Sequence, residues 1–139
     1  MRRIALGTAL SLTLAACSAD SLGPDPAVLV GSFGSALEPV ELLATRVGVQ
    51  LNLGCGGYFI TREAVRIEGT GGFSVRGKAY PDGGLYLGPL RDAVLSGTRD
   101  AVARSVDVTL QVEGSGPQAP PHYVLHEGDH FDGELVCPQ

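Results

Sequence analysis

The chain has 139 residues, of which 44% are hydrophobic, 18% are charged and 20 are glycine. This length suits one globular domain, and the composition excludes a wholly disordered chain. The net charge of −5 provides no basic stripe that could neutralise phosphates, so we expect no nucleic-acid partner.

The first sixteen residues have the pattern of a targeting segment. Arg2 and Arg3 form a basic start, an apolar run extends from Ile4 to Leu14, and small residues lead to Cys17. Eleven helical residues span about 16 Å, or half of a bilayer core, so this run does not predict a transmembrane helix. An ordinary secretory signal cleaved nearby is the alternative interpretation.

The segment Leu14-Ala15-Ala16-Cys17 resembles the lipobox of bacterial lipoproteins. The resemblance implies that residues 1–16 are a lipoprotein signal peptide and that Cys17 is acylated, as in palmitate-bearing lipoproteins. It also implies that the lipid anchors the protein in the cell envelope, and Ser18 implies outer-membrane sorting if the organism is Gram-negative. Loss of Arg2 and Arg3 with the signal changes the net charge to −7, which disfavours electrostatic adhesion to anionic lipid.

Residues 17–26 have the composition of a lipidated linker. Ser18 to Pro26 combine serine, aspartate, glycine and two prolines with a single apolar residue, Leu22. Nine residues reach at most about 30 Å. We therefore expect the domain at residues 27–139 to lie close to the membrane.

The three cysteines predict a disulfide if the first of them carries the lipid. Cys55 and Cys137 would then remain as a pair in an oxidising compartment. A bridge between them closes a loop of about 82 residues, for which the chain-entropy model gives at most roughly 4.5 kcal/mol. Two free thiols, or a metal pair without further ligands, are the alternatives.

Short strands are the predicted elements of the domain. Val106, Val108, Leu110 and Val112 alternate with polar residues, and a second alternation from Val47 to Cys55 places Cys55 on the apolar face at a strand end. Shorter strands are predicted at 27–33, 39–45, 58–61, 64–68, 72–80, 93–97, 122–126 and 134–137. Residues 99–104 suit either one helical turn or a hairpin connection.

About eight strands at ten-residue spacing, separated by glycine-rich turns, predict an all-β fold, a small antiparallel barrel or sandwich. In this fold Phe73 and Val75 would point inward, and Ser74 and Arg76 outward. A domain of roughly 110 residues needs most of its inward side chains to fill the interior. A large ligand cavity would displace core that such a domain can hardly spare.

Several segments resemble a group of small bacterial lipoproteins without an established activity. They are Gly31-Ser32-Phe33, the apolar strand that ends at Cys55, Gly72-Phe73-Ser74-Val75-Arg76-Gly77 and the terminal Cys137, and the resemblance covers roughly residues 28–137. It implies a compact β domain. Gly31-Ser32-Phe33 also resembles the G-x-W start of lipocalin barrels, with phenylalanine in place of tryptophan, which implies a carrier of a small apolar ligand.

The sequence His126-Glu127-Gly128-Asp129-His130 matches the H-E-x-x-H motif of zinc metalloproteases. There a helix places the two histidines one turn apart, and the glutamate acts as general base. Gly128 and Asp129 disfavour a helix, and a hairpin turn at 127–129 would instead let His126 and His130 face each other as a weak metal site. We expect an exposed polar loop, with no catalytic residue and no cofactor.

Gly72 to Lys78 match the G-x-x-x-x-G-K spacing of a phosphate-binding loop, but Ala79 follows where serine or threonine is required.

The function expected from the sequence is a lipid-anchored, non-catalytic binding or structural module, whose partner is a small ligand or an envelope protein. A lipocalin-like carrier is the alternative. A metal-dependent hydrolase that uses residues 126–130 is the second alternative.

Overall fold

A computed structural model of the protein describes residues 27–80 and 89–137. The predicted signal peptide, Cys17 and the linker at 17–26 lie outside these residues. No described residue is helical, so the described part contains no helix able to cross a membrane. Eight strands lie in the described ranges: β1 (Gly31–Gly34), β2 (Glu41–Thr45), β3 (Gly48–Asn52), β4 (Tyr58–Thr61), β5 (Gly72–Tyr80), β6 (Arg91–Asp100), β7 (Ser105–Val112) and β8 (His122–Glu127).

The eight strands form a closed antiparallel barrel in which each strand pairs with the next along the chain. β8 returns to β1, where Phe33 lies opposite Glu127 and Gly34 opposite His126. The predicted all-β barrel is thus confirmed, and the sandwich that the same pattern allowed does not form. Closure satisfies the backbone groups that an open sheet would expose at its edges.

The interior of the barrel is filled by the inward residues of every strand. The alternation in β7 is confirmed, because Val106, Val108, Leu110 and Val112 are all buried. Phe73 and Val75 point inward from β5, while Ser74 and Arg76 are exposed, again as predicted. Nineteen of the described residues form the apolar core: Leu29, Phe33, Val40, Leu42, Ala44, Val49, Leu51, Phe59, Val65, Phe73, Val75, Ala79, Ala93, Leu95, Val106, Val108, Leu110, Val112 and Leu125.

The two ends of the barrel have different connections. We call the end with the connections at 46–47, 62–71 and 101–104 the near end, and the end with those at 35–40, 53–57 and 113–121 the far end. The chain enters the barrel at the near end. There the Leu29 amide donates to the Val65 carbonyl, and the Ile67 amide donates to the Ala27 carbonyl.

Two predicted strands are not formed, and others have different ends. Residues 64–68 make one isolated bridge, Val28 to Arg66, because they pair with the incoming chain rather than with a barrel strand. Residues 134–137 are irregular. The first two strands begin later than predicted, at Gly31 and Glu41, while β6 extends over Arg91–Asp100 and β8 ends at Glu127.

The alternation from Val47 to Cys55 predicts too long a strand. β3 is confined to Gly48–Asn52, and Val47 lies exposed in the preceding turn. Beyond Asn52 the chain turns: the Leu53 amide donates to the Gly57 carbonyl, and the Gly57 amide to the Gly54 carbonyl. Cys55 is in this turn with φ of 44°, half-buried instead of on the core face.

The connection at 101–104 is a hairpin turn and not the start of a helix. The Asp100 carboxylate accepts hydrogen bonds from the amides of Val102 and Ala103, both at 2.9 Å. Such side-chain-to-backbone bonds favour turns over helix interiors.

Candidate functional site

A disulfide joins the far end of the barrel to the end of the described chain. Cys55 and Cys137 are bonded, with their Cα atoms 5.3 Å apart, so the predicted bridge is confirmed. Both thiols are consumed by this bond, which removes the alternatives of free cysteines and of a cysteine metal site. We call residues 128–137, which the bridge fixes at their end, the tail.

The tail passes beside β1 on its way to the disulfide. The Gly128 amide donates to the Ser32 carbonyl at 3.0 Å. At Gly34 a Cβ atom would overlap the carbonyl oxygen of Asp129, so this position needs a residue without a side chain. Most of the tail is exposed and Phe131 is half-buried, so the disulfide holds a segment that buries little apolar area.

A cluster of three charged side chains lies at the near end. Arg99 lies on the inward face of β6, on the same side of the strand as Ala93 and Leu95. Glu127 lies on the inward face of β8, on the same side as Leu125. Arg99 Nη2 donates to Glu127 Oε2 at 3.3 Å. Arg104, from the 101–104 turn, donates from Nε to the same oxygen at 3.1 Å.

The two arginines stabilise the ionised form of Glu127. Hydrogen bonds from Arg104 and then Arg99 lower the pKa of Glu127, against the opposing effect of burial. The same contact raises the pKa of Arg104, mainly through its hydrogen bond to Glu127. A carboxylate held ionised by two guanidinium groups is a weak proton acceptor, which makes Glu127 unsuited to act as a general base.

Arg99 also covers the first strand of the barrel. Its Cζ atom lies 4.7 Å from the centre of the Phe33 ring, within the range of a cation–π interaction. Its Nη1 atom is buried and has no hydrogen-bond partner among the described residues. The Phe33 ring is itself fully buried, so the position that resembles the lipocalin start belongs to the core.

The H-E-x-x-H segment does not adopt the geometry of a zinc protease. Residues up to Glu127 are strand, and Gly128 turns the chain with φ of 83°. His126 is exposed on β8, while His130 Nε2 lies 2.9 Å from a carboxylate oxygen of Asp132. Within residues 27–80 and 89–137, no group of three or more histidine, cysteine, aspartate or glutamate side chains is arranged to hold a metal ion.

Neither does the G-x-x-x-x-G-K segment form a phosphate-binding loop. Gly72 to Lys78 lie within β5 and pair with β6 from Thr98 to Asp92. A phosphate-binding loop needs free backbone amides at a helix N-terminus, whereas these residues belong to a β ladder.

Open grooves lie on the outer wall of the barrel. The larger, of about 600 Å³, crosses β5, β6 and β7 and is lined by residues that include Arg76, Val94 and Gln111. A second, of about 450 Å³, shares Arg76 with the first and includes Lys78, which lies 2.7 Å from Asp92.

Sequence reasoning missed the cluster of Arg99, Arg104 and Glu127. The predicted strand at 93–97 stops two residues before Arg99, and the sequence pattern assigns Glu127 only to the zinc motif. Extending the alternation of β6 by one more inward position would have placed Arg99 inside the barrel.

Comparisons with protein-family models, curated proteins and solved structures found no match to this chain. The resemblances to lipoproteins and lipocalins therefore stay predictions from the sequence. What the structure adds is a closed barrel, a filled core, a disulfide and an internal ion pair.

Proposed function

We propose that the protein is a lipid-anchored bacterial cell-envelope protein whose barrel is a non-catalytic binding or structural module. The observation that carries this proposal is the filled interior. Apolar side chains occupy it, and the inward charges of Arg99 and Glu127 bind each other. An interior of this kind stabilises a rigid scaffold and leaves the outer surface for recognition.

Two further features support the lipid anchor and the envelope location. Leu14 to Cys17 resemble a lipobox, and the Cys55–Cys137 disulfide is typical of oxidising compartments. The linker after Cys17 is short, so an acyl group there would keep the near end of the barrel within about 30 Å of the bilayer.

Two features of the side chains support a role without catalysis. The disulfide consumes the thiols of Cys55 and Cys137. Glu127, the general base that the zinc motif would require, is bound by two arginines.

The lipid anchor is tested by replacing Cys17 in a bacterial host. The parent protein should sediment with membranes, resist an alkaline wash and carry an acyl mass on Cys17, whereas Cys17→Ala should lack the acyl mass and leave the washed membranes. Ser18→Ala, which keeps the cysteine, is the matched control and should behave as the parent. Retention of Cys17→Ala in the washed membranes would refute the anchor.

A carrier of a small apolar ligand is the second candidate, favoured by the closed eight-stranded barrel and by Gly31-Ser32-Phe33 on β1. The full burial of Phe33 and Phe59 opposes it, because a ligand would have to displace such side chains. Solvent extraction of the purified protein decides between the two. We expect no stoichiometric apolar molecule, and the release of one would favour the carrier.

A further inference from the structure

The near end carries an excess of only one positive charge, although the chain as a whole is acidic: its five arginines (Arg46, Arg62, Arg66, Arg99 and Arg104) stand against the four acidic residues Glu63, Glu68, Asp100 and Glu127. We call the three near-end connections, at 46–47, 62–71 and 101–104, the near rim. The near rim contains four exposed arginines and two glutamates: Arg46, Arg62, Arg66, Arg104, Glu63 and Glu68. The described far-end connections, at 35–40, 53–57 and 113–121, contain Glu38 and Glu113 and neither lysine nor arginine.

Two valines project from the turns of the near rim. Val47 is 76% exposed and Val102 is 96% exposed. Thr45 Oγ1 accepts a hydrogen bond from the Val47 amide and donates one to the Gly48 carbonyl. In the second turn the Asp100 carboxylate accepts hydrogen bonds from the amides of Val102 and Ala103, so side-chain caps fix both turns and leave the valines exposed.

Exposure alone does not distinguish the two ends, since Leu37 at the far end is 88% exposed and single exposed apolar residues are common. The path of the chain does distinguish them. Ala27 and Leu29 pair with residues of the 62–71 connection, so the linker from Cys17 leaves the barrel at the near rim. A lipid on Cys17 would therefore be tethered within about 30 Å of Arg62 and Arg66.

We propose that the near rim docks on the lipid headgroups of the membrane, with Val47 and Val102 inserted at the interface and Arg46, Arg62 and Arg66 on lipid phosphates. This inference rests on the proposed lipid anchor and adds an orientation to it. Guanidinium groups bind phosphate oxygens in a bidentate manner, and an acyl chain combined with basic residues anchors more firmly than one chain alone.

The acidic net charge does not oppose this docking at close range. Charges beyond about 8 Å from the headgroups are largely screened at physiological salt, so the near rim matters more than the whole chain. Glu127 is engaged by Arg99 and Arg104, which neutralises its charge locally. The expectation that net charge disfavours adhesion thus applies to the rest of the barrel, which we place facing away from the bilayer.

Single tryptophan reporters test the orientation, because the chain contains no tryptophan. Val102→Trp, Val47→Trp and the far-end control Leu37→Trp replace residues of similar exposure. Each full-length protein is purified from membranes and reconstituted into phosphatidylglycerol–phosphatidylcholine vesicles with brominated acyl chains. We expect blue-shifted emission and about twofold or greater quenching at positions 102 and 47 relative to position 37, as expected for insertion of roughly 5–10 Å.

Arginine replacement tests the phosphate contacts in the same assay. In the Val102→Trp protein, Arg62→Gln and Arg66→Gln should each weaken docking on phosphatidylglycerol about fivefold. Arg76→Gln, on the outer wall of β5, is the matched control and should have little effect. Equal effects of Arg62→Gln and Arg76→Gln would refute the role of the rim arginines.

Failure of docking is distinguishable from failure of the anchor. The mass of Cys17 reports the acyl group independently of the reporters, so an unmodified Cys17 refutes the anchor alone. Docking is refuted if, in protein whose Cys17 carries the acyl mass, positions 102 and 47 are quenched no more than position 37.

Discussion

The two ends of the barrel are closed by different means. At the near end, the incoming chain packs against the 62–71 connection, Leu29 and Val65 are buried, and Arg99 lies across Phe33. Among the described residues of the far end, Val40 is buried in the core, and the Cys55–Cys137 disulfide holds a tail that is mostly exposed. The packing at the near end depends on buried apolar area, whereas the disulfide restricts the chain and buries little apolar area.

This difference predicts how each end responds to substitution. Packing at the near end belongs to the same core as the strands, so its loss should destabilise the whole barrel. The disulfide acts largely by restricting the unfolded chain, so its loss should lower stability and free the tail while preserving the barrel.

The largest effect is expected from Phe33→Ala. The substitution leaves a cavity in the core and removes the ring beneath Arg99, so the free energy of unfolding should fall by about 3–5 kcal/mol. Urea unfolding followed by circular dichroism measures the change. Ser32→Ala, at an exposed neighbouring position on β1, is the control, and an equally small effect of the two variants would contradict near-end closure by packing.

The second effect is expected from joint replacement of Cys55 and Cys137 by serine. The free energy of unfolding should fall by about 2–4 kcal/mol, and limited proteolysis should cut the tail first. Reduction of the parent protein should reproduce both results. The disulfide is absent, and the prediction wrong, if unreduced peptide mapping finds two alkylatable thiols instead of a linked pair.

The third effect is expected from Gly34→Ala, which tests the contact between the tail and β1. Gly34→Ala places a methyl group against the Asp129 carbonyl and should destabilise the protein by about 1–3 kcal/mol. Gly69→Ala is the control, since a Cβ there meets no atom within 4 Å. In the protein without the disulfide the tail can move aside, so Gly34→Ala should have a smaller effect. Equal effects in both backgrounds would show that the tail is held at Gly34 independently of the disulfide.

The barrel wall could be predicted because each strand buries one face. β4, β5 and β7 match their predicted ranges to within one residue, since their apolar residues alternate and glycine-rich turns separate them. At 64–68 the alternation correctly indicates inward Val65 and Ile67, but it cannot show that their partner is the incoming chain. At 53–55 the alternation of apolar residues continues beyond the end of β3 into a turn. Alternation alone cannot distinguish such a turn from a strand.

Of the candidate sites, only the disulfide could be predicted, because it follows from counting the cysteines. Cys55 and Cys137 could be paired because the third cysteine had another assignment. The ion pair of Arg99 and Glu127 joins residues 28 positions apart, and its formation depends on the strand order of the closed barrel. No local sequence pattern specifies the strand order, and the match to a zinc motif predicts a different role for Glu127.

The smallest effect is expected from Glu127→Gln, and it should depend on pH. Because Arg104 and Arg99 lower the pKa of Glu127 in the folded protein, its ionised form contributes stability above the pKa of the unfolded chain. That contribution is lost as pH falls through the lower, folded-state pKa. Parent and Glu127→Gln should therefore differ most at neutral pH and converge in acid.

Chemical denaturation at a series of pH values measures this convergence. Glu63→Gln is the matched control, because it removes an exposed carboxylate of the near rim whose side chain makes no ion pair with the described residues. At neutral pH it should change the free energy of unfolding by less than about 0.5 kcal/mol. A difference between parent and Glu127→Gln that stays constant from neutral to acid pH would show that the carboxylate acts through its shape and not its charge. The near end would then be closed by apolar packing alone.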